Sequence, residues 1–243
     1  MRQFGLIGYP LSHTFSKNYF GKKFSDENII DTAYDIYELK SIDDFCELIK
    51  SKNPSGLNVT IPYKEQVIPF LDELNKVAAE IGAVNTIRFE NGKSIGFNTD
   101  AYGFEYDLLD FLKGSQVQKA LILGTGGASK AVAYVLHKLK IEFNFVSRKE
   151  AYINYQEMSP SIIQDHHLIV NTTPLGMSPN VDSYPELPYD NMSEKHYLYD
   201  LVYNPEKTLF LKYGQVRGAH IRNGYNMLVL QAEEAWRIWN FKK

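Results

Sequence analysis

A glycine-rich turn in the middle of the chain constrains the possible folds more than any other stretch. An apolar run ends at Gly124, and a helical pattern of apolar residues begins at Ala131. Gly124 permits a tight turn, and Gly126 lets the backbone approach a pyrophosphate because no Cβ stands in the way. Gly127 and Ala128 are small enough for close helix packing, and the helix N-terminus offers unpaired N–H groups to an anion. This order of strand, turn and helix predicts a mononucleotide-binding unit.

The composition excludes several classes of protein. With 44% apolar and 23% charged residues, the 243-residue chain can bury a core in one large or two modest domains. A formal net charge of −3 argues against nucleic acid as a partner. The single cysteine, Cys46, precludes an internal disulfide and fits a reducing compartment. No apolar run approaches the ~20 residues of a membrane span and no signal pattern opens the chain, so we expect a cytoplasmic protein without a membrane partner.

The first hundred residues predict short buried strands that alternate with helices. The predicted strands lie at 4–8, 32–37, 56–60 and from 82 onward, and the predicted helices lie around Phe20 and Phe24, at 41–51 and at 77–81. Asn91-Gly92, between two apolar runs, is the strongest hairpin signal in the chain. Cys46 falls on the apolar stripe of the helix at 41–51, which predicts a core residue and not a nucleophile.

Polar side chains gather where the predicted strands of the first half end. The loop at 12–16 holds three hydroxyls and an imidazole, more than a helix cap requires, and suits a carboxylate or a polyol. Thr60 and Lys64 follow the third strand, at the end where open α/β sheets bind ligands. A solvated lysine is the plain alternative for Lys64, a helix N-cap for Asp100 and a turn residue for Asn85.

The second half of the chain repeats a strand–helix rhythm that is typical of an α/β domain. The predicted strands lie at 120–123, 143–146, 167–171, 197–202 and 219–221. The predicted helices lie at 128–139, 208–213 and 227–239.

The strand at 143–146 ends in Ser147, Arg148 and Lys149, where a nucleotide-binding unit recognises the ribose. NAD-type units place an acidic residue about 20 residues beyond the glycines, whereas two cations at this point favour the 2′-phosphate of NADP(H). A basic turn at a strand end, or a glycine turn without a nucleotide, is the alternative for either motif alone. The six histidines show no ligand spacing, so no metal site is predicted.

Eight blocks of sequence, in one order along nearly the whole chain, resemble the shikimate dehydrogenase family. The blocks are 8–10 with the loop 12–16, 58–64, 82–86, 96–100, the turn at 124, 171–177, 203–205 and 224–232. Each block is weak by itself, and the ordered set is highly specific.

The resemblance implies NADPH-dependent reduction of 3-dehydroshikimate to shikimate, a step toward chorismate and the aromatic amino acids. It implies an α/β fold of two domains with a cleft between them. An N-terminal substrate domain would comprise residues 1–99 together with 226–243. A Rossmann-like, doubly wound NADP-binding domain would comprise 100–225. Assembly as a monomer or as a homodimer stays open.

Carried over residue by residue, the resemblance also implies a set of site residues. The substrate would be bound by its carboxylate to Thr14 and Ser16, by its ring oxygens to Thr60, Lys64, Asn85 and Asp100, and further by Tyr203 and Gln231. The cofactor would be bound by its pyrophosphate to Gly124, Gly126, Gly127 and Ala128, by its 2′-phosphate to Ser147, Arg148 and Lys149, and by its nicotinamide to Leu201 and Gly224.

Four positions depart from the family pattern. Thr14, Lys17, Ala101 and Asn226 stand where the family usually has serine, proline, glycine and glycine. Thr14 keeps the hydroxyl and adds a methyl group, which bears on carboxylate binding. Asn226 lies beside the expected nicotinamide region, which bears on cofactor geometry.

The chemistry of such a site can be argued from the residues themselves. Hydride addition to a ketone creates an alkoxide, which must meet a proton or a fixed positive charge. Our hypothesis is that Lys64 donates to this oxygen, while Asp100 accepts from a neighbouring hydroxyl and holds the ammonium in place. A nearby carboxylate favours the charged lysine, which suits an acid in the reductive direction.

Two other functions remain open at this stage. One is a related enzyme that acts on quinate, possibly with NAD, and indifference to the 2′-phosphate would support it. The other is a non-catalytic, NADP-binding regulatory module that keeps the fold. Retention of both Lys64 and Asp100 argues against the module, because a sensor has no need of that pair.

Overall fold

The computed structural model describes residues 1–11 and 15–241, and the chain divides into two compact units. Unit 1 comprises Met1–Thr99 and Ala232–Lys243, and unit 2 comprises Asp100–Gln231. Within the described ranges, no helix combines the length and the apolar character needed to cross a membrane.

The helices and strands follow one another along the chain, with the longer connections at 147–159 and 172–196. Up to residue 97 they are β1 (Arg2–Gly8), α1 (Phe15–Asp26), β2 (Thr32–Glu38), α2 (Phe45–Lys52), β3 (Gly56–Val59), α3 (Tyr63–Gln66), β4 (Glu73–Leu74), α4 (Lys76–Ile81), β5 (Thr86–Glu90) and β6 (Lys93–Phe97). They continue with α5 (Thr99–Phe111), β7 (Lys119–Leu123), α6 (Gly127–Lys138), β8 (Glu142–Val146), α7 (Pro160–Asp165), β9 (Leu168–Asn171), β10 (Tyr197–Asp200), α8 (Leu209–Val216), β11 (His220–Asn223) and α9 (Tyr225–Asn240). Short 3-10 helices lie at Ile42–Asp44, Ile68–Phe70, Tyr155–Glu157 and Tyr189–Asn191.

Unit 1 contains a mixed sheet with the strand order β2-β1-β3-β5-β6-β4. β1 is parallel to both β2 and β3, whereas β5 is antiparallel to β3 and β6. The predicted hairpin is confirmed: Asn91 and Gly92 join β5 to β6, with φ values of 52° and 77°. Positive φ at both central residues is what a two-residue type I′ turn requires, and asparagine and glycine tolerate it best.

An aromatic cluster fills one side of the unit 1 sheet. Phe4 of β1 stacks on Trp239 with ring centroids 4.7 Å apart, and Phe20 of α1 stacks on Tyr34 at 4.6 Å. The Trp239 indole N–H donates to the backbone oxygen of Ile87 at 3.0 Å. The C-terminal part of α9 is therefore a core element of unit 1, held by ring packing and by one buried hydrogen bond.

Unit 2 contains an all-parallel sheet with the strand order β11-β10-β9-β7-β8. The chain passes from β7 outward to β8 and then returns to β9 on the other side of β7, so the strand order reverses at β7. The last residue of β7, Leu123, is paired with Val146 and with Asn171, and Asn171 is paired with Asp200. These carboxyl ends form one row. The α/β class with a doubly wound, Rossmann-like parallel sheet is thereby confirmed.

Two local predictions, and one alternative raised for Asp100, differ from the structure. Cys46 is exposed and not a core residue, because α2 begins at Phe45 after a 3-10 turn and buries Phe45 fully and Ile49 partly, leaving Cys46 about 100° around the helix. The strand expected from residue 82 begins at Thr86, because Gly82 ends α4 with a positive φ of 69°. Asp100 is not an N-cap, since α5 begins at Thr99 and Asp100 lies within its first turn.

A matched pair of glycine substitutions tests the packing of unit 1. A Cβ at Gly56 would lie 2.3 Å from the Trp239 indole nitrogen, whereas a Cβ at Gly21 of α1 would meet nothing within 4 Å. We expect Gly56→Ala to lower the free energy of unfolding by about 1–3 kcal/mol through overpacking. We expect Gly21→Ala to raise it by about 0.5–1 kcal/mol through helix propensity. Denaturant unfolding measures both, and equal effects would contradict the packing described.

Candidate active site

The turn that follows β7 requires glycine at its first position for reasons of fold. Gly124 has a φ of +102°, and its N–H donates to the backbone oxygen of Val146 at 2.9 Å. A Cβ there would lie 3.0 Å from the side chains of both Thr172 and Thr173. The chain therefore turns in a conformation that side chains disfavour, and in contact with the loop that follows β9.

The second glycine of the turn has no such structural reason. Gly126 is exposed, has an ordinary φ of −84°, and a Cβ on it would meet nothing within 4 Å. It precedes the 12-residue helix α6, whose first residues are Gly127 and Ala128. The open space at Gly126 beside a helix N-terminus is a cradle that a side chain would fill, so these residues fit a pyrophosphate.

The loop at 172–177 is fixed directly against the glycine turn. The Thr172 N–H and hydroxyl both donate to the backbone oxygen of Leu123, at 3.0 and 2.7 Å. The Asn171 side-chain oxygen accepts from the Thr173 N–H at 3.0 Å and from its hydroxyl at 2.6 Å. The two loops meet where the strand order reverses, which is the position at which open α/β sheets bind ligands.

A buried carboxylate lies in the same row of strand ends. Asp200 is fully buried and accepts from the Asn171 side chain at 2.9 Å, from the Val202 N–H at 3.0 Å and from the Thr208 hydroxyl at 2.5 Å. Burial raises the pKa of Asp200 to about 6, although these three donors favour the charged form and lower it. The pKa of Tyr189 is also raised. Burial is the largest cause, the hydroxyl of Tyr184 is the next, and the Asp200 carboxylate follows.

The basic residues expected to meet a 2′-phosphate lie in a closed loop after β8. Ser147 is buried, whereas Arg148 and Lys149 are exposed. The Ser147 N–H donates to the Ile153 oxygen at 2.9 Å, the Tyr152 N–H donates to the Lys149 oxygen at 3.2 Å, and the Lys149 N–H donates to the Ser147 hydroxyl at 3.3 Å. The loop presents two cations at the carboxyl edge of the sheet, where they fit a second phosphate.

The two residues expected at the nicotinamide lie against each other. A Cβ on Gly224 would lie 2.3 Å from the Leu201 backbone oxygen, and the Gly224 N–H donates to the Val202 oxygen at 3.3 Å. Tyr203 follows in the same loop and is half-buried, which raises the pKa of its hydroxyl. Gln231 is buried on α9 and donates to the Leu228 oxygen at 2.9 Å. Unit 2 thus contains the expected cofactor residues at one edge of its sheet.

Unit 1 places two of its expected site residues just beyond β3. The Thr60 N–H donates to the Ile7 oxygen at 2.9 Å, and the Thr60 methyl lies so close to Gly8 that a Cβ on Gly8 would be 2.5 Å away. Lys64 lies in α3 and is half-buried rather than fully solvated, and its backbone oxygen accepts from the Val84 N–H at 2.7 Å. Asp100, in unit 2, is buried in the first turn of α5.

Asn85 has a larger structural role than that of a turn residue. Its side-chain oxygen accepts from the Thr99 N–H at 2.7 Å, and its amide donates to the Thr99 hydroxyl at 3.0 Å. Asn85 is buried. Although it lies well before α5 in the sequence, it supplies the hydrogen-bond partners for the first residue of that helix. It therefore fixes the residue that immediately precedes Asp100.

A buried polar network that the sequence analysis missed lies beside these residues. The Tyr34 hydroxyl donates to the Asn58 side-chain oxygen at 2.7 Å, and the Asn58 amide donates to the Thr86 hydroxyl at 3.2 Å. Ser16 is half-buried and hydrogen-bonded to Tyr34, whose pKa is raised by burial. The signal for Asn58 was a polar residue inside the apolar strand Gly56–Val59.

Thr14, the other residue expected at the substrate carboxylate, lies outside the described residues.

Metal ligands do not gather in the part of the chain that the structure describes. Across 1–11 and 15–241, no three or more histidine, cysteine, aspartate or glutamate side chains are placed to hold a metal ion. Unit 2 offers a glycine cradle, two exposed cations and buried carboxylates, and unit 1 offers hydroxyl and amide groups.

A doubly wound parallel sheet, with a glycine cradle at its strand reversal and a basic loop beside it, defines an α/β nucleotide-binding protein. Comparison with known proteins narrows this class. The family model for the shikimate dehydrogenase substrate binding domain matches residues 6–87. The shikimate dehydrogenase (NADP(+)) of Carboxydothermus hydrogenoformans is 38% identical over 253 residues, which cover 97% of this chain and 90% of the relative. The chain belongs to the shikimate dehydrogenase family.

Solved structures agree with this assignment. The Thermus thermophilus shikimate 5-dehydrogenase in complex with NADP(H) and shikimate matches with a TM-score of 0.85 and 30% identity, covering 99% of this chain and 94% of that one. The Corynebacterium glutamicum quinate dehydrogenase in complex with NAD matches with a TM-score of 0.87 and 25% identity, covering 98% of this chain and 93% of that one.

The two glycines of the turn should respond differently to substitution. In Gly126→Ala the added methyl group fills the cradle without touching protein atoms. We therefore expect an unchanged free energy of unfolding and an NADPH affinity that is lower by a factor on the order of ten or more. Gly124→Ala places an alanine in the left-handed region of backbone conformation, which residues with a side chain disfavour. It should lower the free energy of unfolding by about 1–3 kcal/mol. Titration calorimetry and denaturant unfolding measure the two effects. Unchanged NADPH affinity in Gly126→Ala would contradict the cradle.

The raised pKa of Asp200 predicts a pH-dependent stability. Because the folded pKa of about 6 exceeds the ordinary aspartate value, this group stabilises the fold fully below about pH 4 and loses that contribution as the pH rises through 6. Relative to the wild type, Asp200→Asn should therefore gain about 2 kcal/mol of unfolding free energy between pH 4 and 7. Denaturant unfolding of both proteins across this range gives the difference. A difference that stays constant with pH would contradict the raised pKa.

Proposed function

We propose that this chain catalyses the NADPH-dependent reduction of 3-dehydroshikimate to shikimate, in the pathway to chorismate and the aromatic amino acids. It is an NADP-dependent oxidoreductase of the shikimate dehydrogenase family. The observation that carries the proposal is the 38% identity, over nearly the full length of both chains, to a relative named shikimate dehydrogenase (NADP(+)). The glycine cradle and the basic loop of unit 2 support the choice of cofactor.

In this proposal, unit 2 is the NADP-binding domain and unit 1 is the substrate-binding domain. The cofactor supplies a hydride from its reduced nicotinamide. Gly126, Gly127 and Ala128 receive the pyrophosphate at the N-terminus of α6, because the backbone there is bare and its N–H groups attract an anion. Arg148 and Lys149, with the Ser147 hydroxyl, bind the 2′-phosphate. Leu201 and Gly224 border the nicotinamide.

The substrate residues offer groups that match a carboxylated ring with several hydroxyls. Hydroxyl groups of Thr14 and Ser16 donate to the carboxylate. The ring oxygens are bound by Thr60, Lys64, Asn85, Asp100, Tyr203 and Gln231. The neutral hydroxyl and amide groups orient the ring, and the two charged side chains are the ones that suit proton transfer.

The reaction needs a proton at the oxygen that receives negative charge. Hydride addition breaks the carbonyl π bond and leaves an alkoxide, which Lys64 stabilises and protonates from its ammonium group. Lys64 then regains a proton from water. Asp100 accepts a hydrogen bond from a neighbouring substrate hydroxyl and so fixes the ring relative to the proton donor. Shikimate leaves with one hydride and one proton added to the ketone.

The proposal also covers the location, the partners and the assembly of the protein. The single cysteine supports a reducing, cytoplasmic location. The net charge of −3 supports a small-molecule partner and not nucleic acid. A monomer or a homodimer would carry out the reaction equally, since each chain holds a full set of the proposed residues.

A four-way assay tests the function directly. The purified protein is supplied with NADP+ or NAD+ and with shikimate or quinate, and the appearance of the reduced nicotinamide is followed by absorbance. We expect the highest kcat/KM for NADP+ with shikimate. Preference for NAD+ with quinate would support the second candidate, which the likeness to a quinate dehydrogenase favours. Tight NADPH binding without turnover on either substrate would indicate the regulatory module.

Substitution of the proposed proton donor separates chemistry from binding. We expect Lys64→Ala to lower kcat roughly a hundredfold or more while KM for shikimate changes little, because the ammonium group acts in the transition state. Lys76→Ala, on the same unit but exposed, is the matched control and should retain wild-type kinetics. A raised KM with unchanged kcat would show instead that Lys64 only binds the substrate.

A further inference from the structure

Asp200 is a carboxylate in a place where an ionised group lowers stability. It is fully buried at the end of β10, and its three donors are an amide, a backbone N–H and a hydroxyl, none of them a cation. Burial raises its pKa to about 6, so at neutral pH the chain holds a charge that the fold would be more stable without. A role outside stability would explain why an acidic group occupies this position.

An ionised carboxylate differs from an amide because it can only accept hydrogen bonds. The Asn171 side chain must therefore turn its NH2 group toward Asp200, at 2.9 Å. This leaves the Asn171 oxygen facing the other way, where it accepts from the Thr173 N–H and hydroxyl at 3.0 and 2.6 Å. Asp200 thus fixes which end of the Asn171 amide faces the loop at 172–177, together with the Leu175 oxygen, which accepts from the same NH2 group at 3.4 Å, and the Thr173 N–H.

The second oxygen of the carboxylate acts on the other end of the same loop. It accepts from the Thr208 hydroxyl at 2.5 Å, and Thr208 is also the N-cap of α8. The side chain of Thr208 lies directly beside Gly176, where a Cβ would be 3.0 Å away. Gly176 has a φ of +88°, so it turns in a shape that favours glycine, in close packing with Thr208.

The loop held in this way is the one that borders the glycine turn. A Cβ on Gly124 would lie 3.0 Å from Thr173 and from Thr172, so a shift of the loop moves atoms that contact the turn. Asp200 itself lies two strands away from that turn in the row of strand ends, through Asn171. Any effect of Asp200 on the turn is therefore exerted through the loop.

We propose that Asp200 is a positioning residue for the nucleotide, whose carboxylate holds both ends of the loop at 172–177 and thereby keeps that loop in the shape that fits NADP(H) at the glycine turn. The proposal rests on the proposed function for the identity of the nucleotide. Because Asp200 acts through the loop at 172–177 and not through the 2′-phosphate loop at 147–149, its effect falls equally on NADPH and on NADH.

The test measures nucleotide affinity in the absence of substrate, by titration calorimetry of the full chain. For Asp200→Ala we expect the Kd values of NADPH and NADH to rise by the same factor, on the order of tenfold. KM for NADPH should rise with them, while kcat at saturating NADPH and KM for shikimate stay within about twofold. Asp200→Asn retains an acceptor for Asn171 and Val202 but loses the acceptor for the Thr208 hydroxyl, so it should recover only part of the lost affinity.

A matched control separates positioning from general loss of stability. Tyr199 is the preceding residue of β10, on the opposite face, and its buried hydroxyl donates to Asp107 at 2.5 Å. Tyr199→Phe should lower the free energy of unfolding and leave both nucleotide Kd values unchanged. If Tyr199→Phe weakens nucleotide binding as much as Asp200→Ala does, the proposal is wrong.

Two further outcomes also decide the matter. Wild-type nucleotide affinity in a folded Asp200→Ala protein would overturn the positioning role while leaving the proposed function intact. Failure of the wild type to bind NADPH would overturn the proposed function itself. If Asp200→Ala does not fold, Thr173→Val is the substitute. It removes only the Thr173 hydroxyl, the last group in the hydrogen-bond relay from Asp200 through Asn171 to Thr173, and it should weaken the binding of both NADPH and NADH. Unchanged affinity in a folded Thr173→Val would overturn the relay.

Discussion

The close approach of two loops at the strand reversal is the constraint on which unit 2 depends. β7 is paired with β8 on one side and with β9 on the other, so the loops after β7 and β9 emerge side by side. Glycine at 124 lets them touch, and glycine at 126 leaves the adjoining backbone bare. The first glycine of the turn is therefore required by the fold, and the second is the one that we propose for the nucleotide. The basic loop after β8 extends the same edge, which is why a nucleotide with an extra phosphate suits it.

Unit 1 differs from unit 2 in that polar groups are buried inside its sheet. Asn58, Thr86 and Asn85 hydrogen-bond to one another across β3 and β5, within an otherwise apolar layer. A network of this kind is rigid only when its members are satisfied, and in this unit the Tyr34 hydroxyl and the start of α5 complete it. Of the groups proposed to bind substrate, Asn85 is fixed in this way, by hydrogen bonds with Thr86 and Thr99. We propose the same arrangement for both units, with buried polar side chains setting the geometry of the residues that would bind ligand.

The sequence predicts the elements whose signals are local and misses those that depend on tertiary contact. The glycine turn, the Asn91-Gly92 hairpin and the long apolar strands need only nearby residues to be recognised. Cys46 was misplaced because the inward face of α2 is formed by Phe45, Leu48 and Ile49, so Leu48 and not Cys46 completes the apolar stripe. The helix at Pro160–Asp165 is only six residues long and lacks a readable period. Asn58 and Asp200 were overlooked because their partners are distant in sequence, and a single polar residue in a strand carries no information about its partners.

Hydrogen exchange of the backbone amides, with and without NADPH, tests most directly the claim that the carboxyl edge of the unit 2 sheet is the nucleotide site. We expect NADPH to slow exchange in three segments, at 124–130, 147–150 and 172–177. With NADH in place of NADPH, the protection at 147–150 should be weaker, because the 2′-phosphate is missing. Binding of NADPH that leaves exchange in 124–130 and 172–177 unchanged would contradict the account.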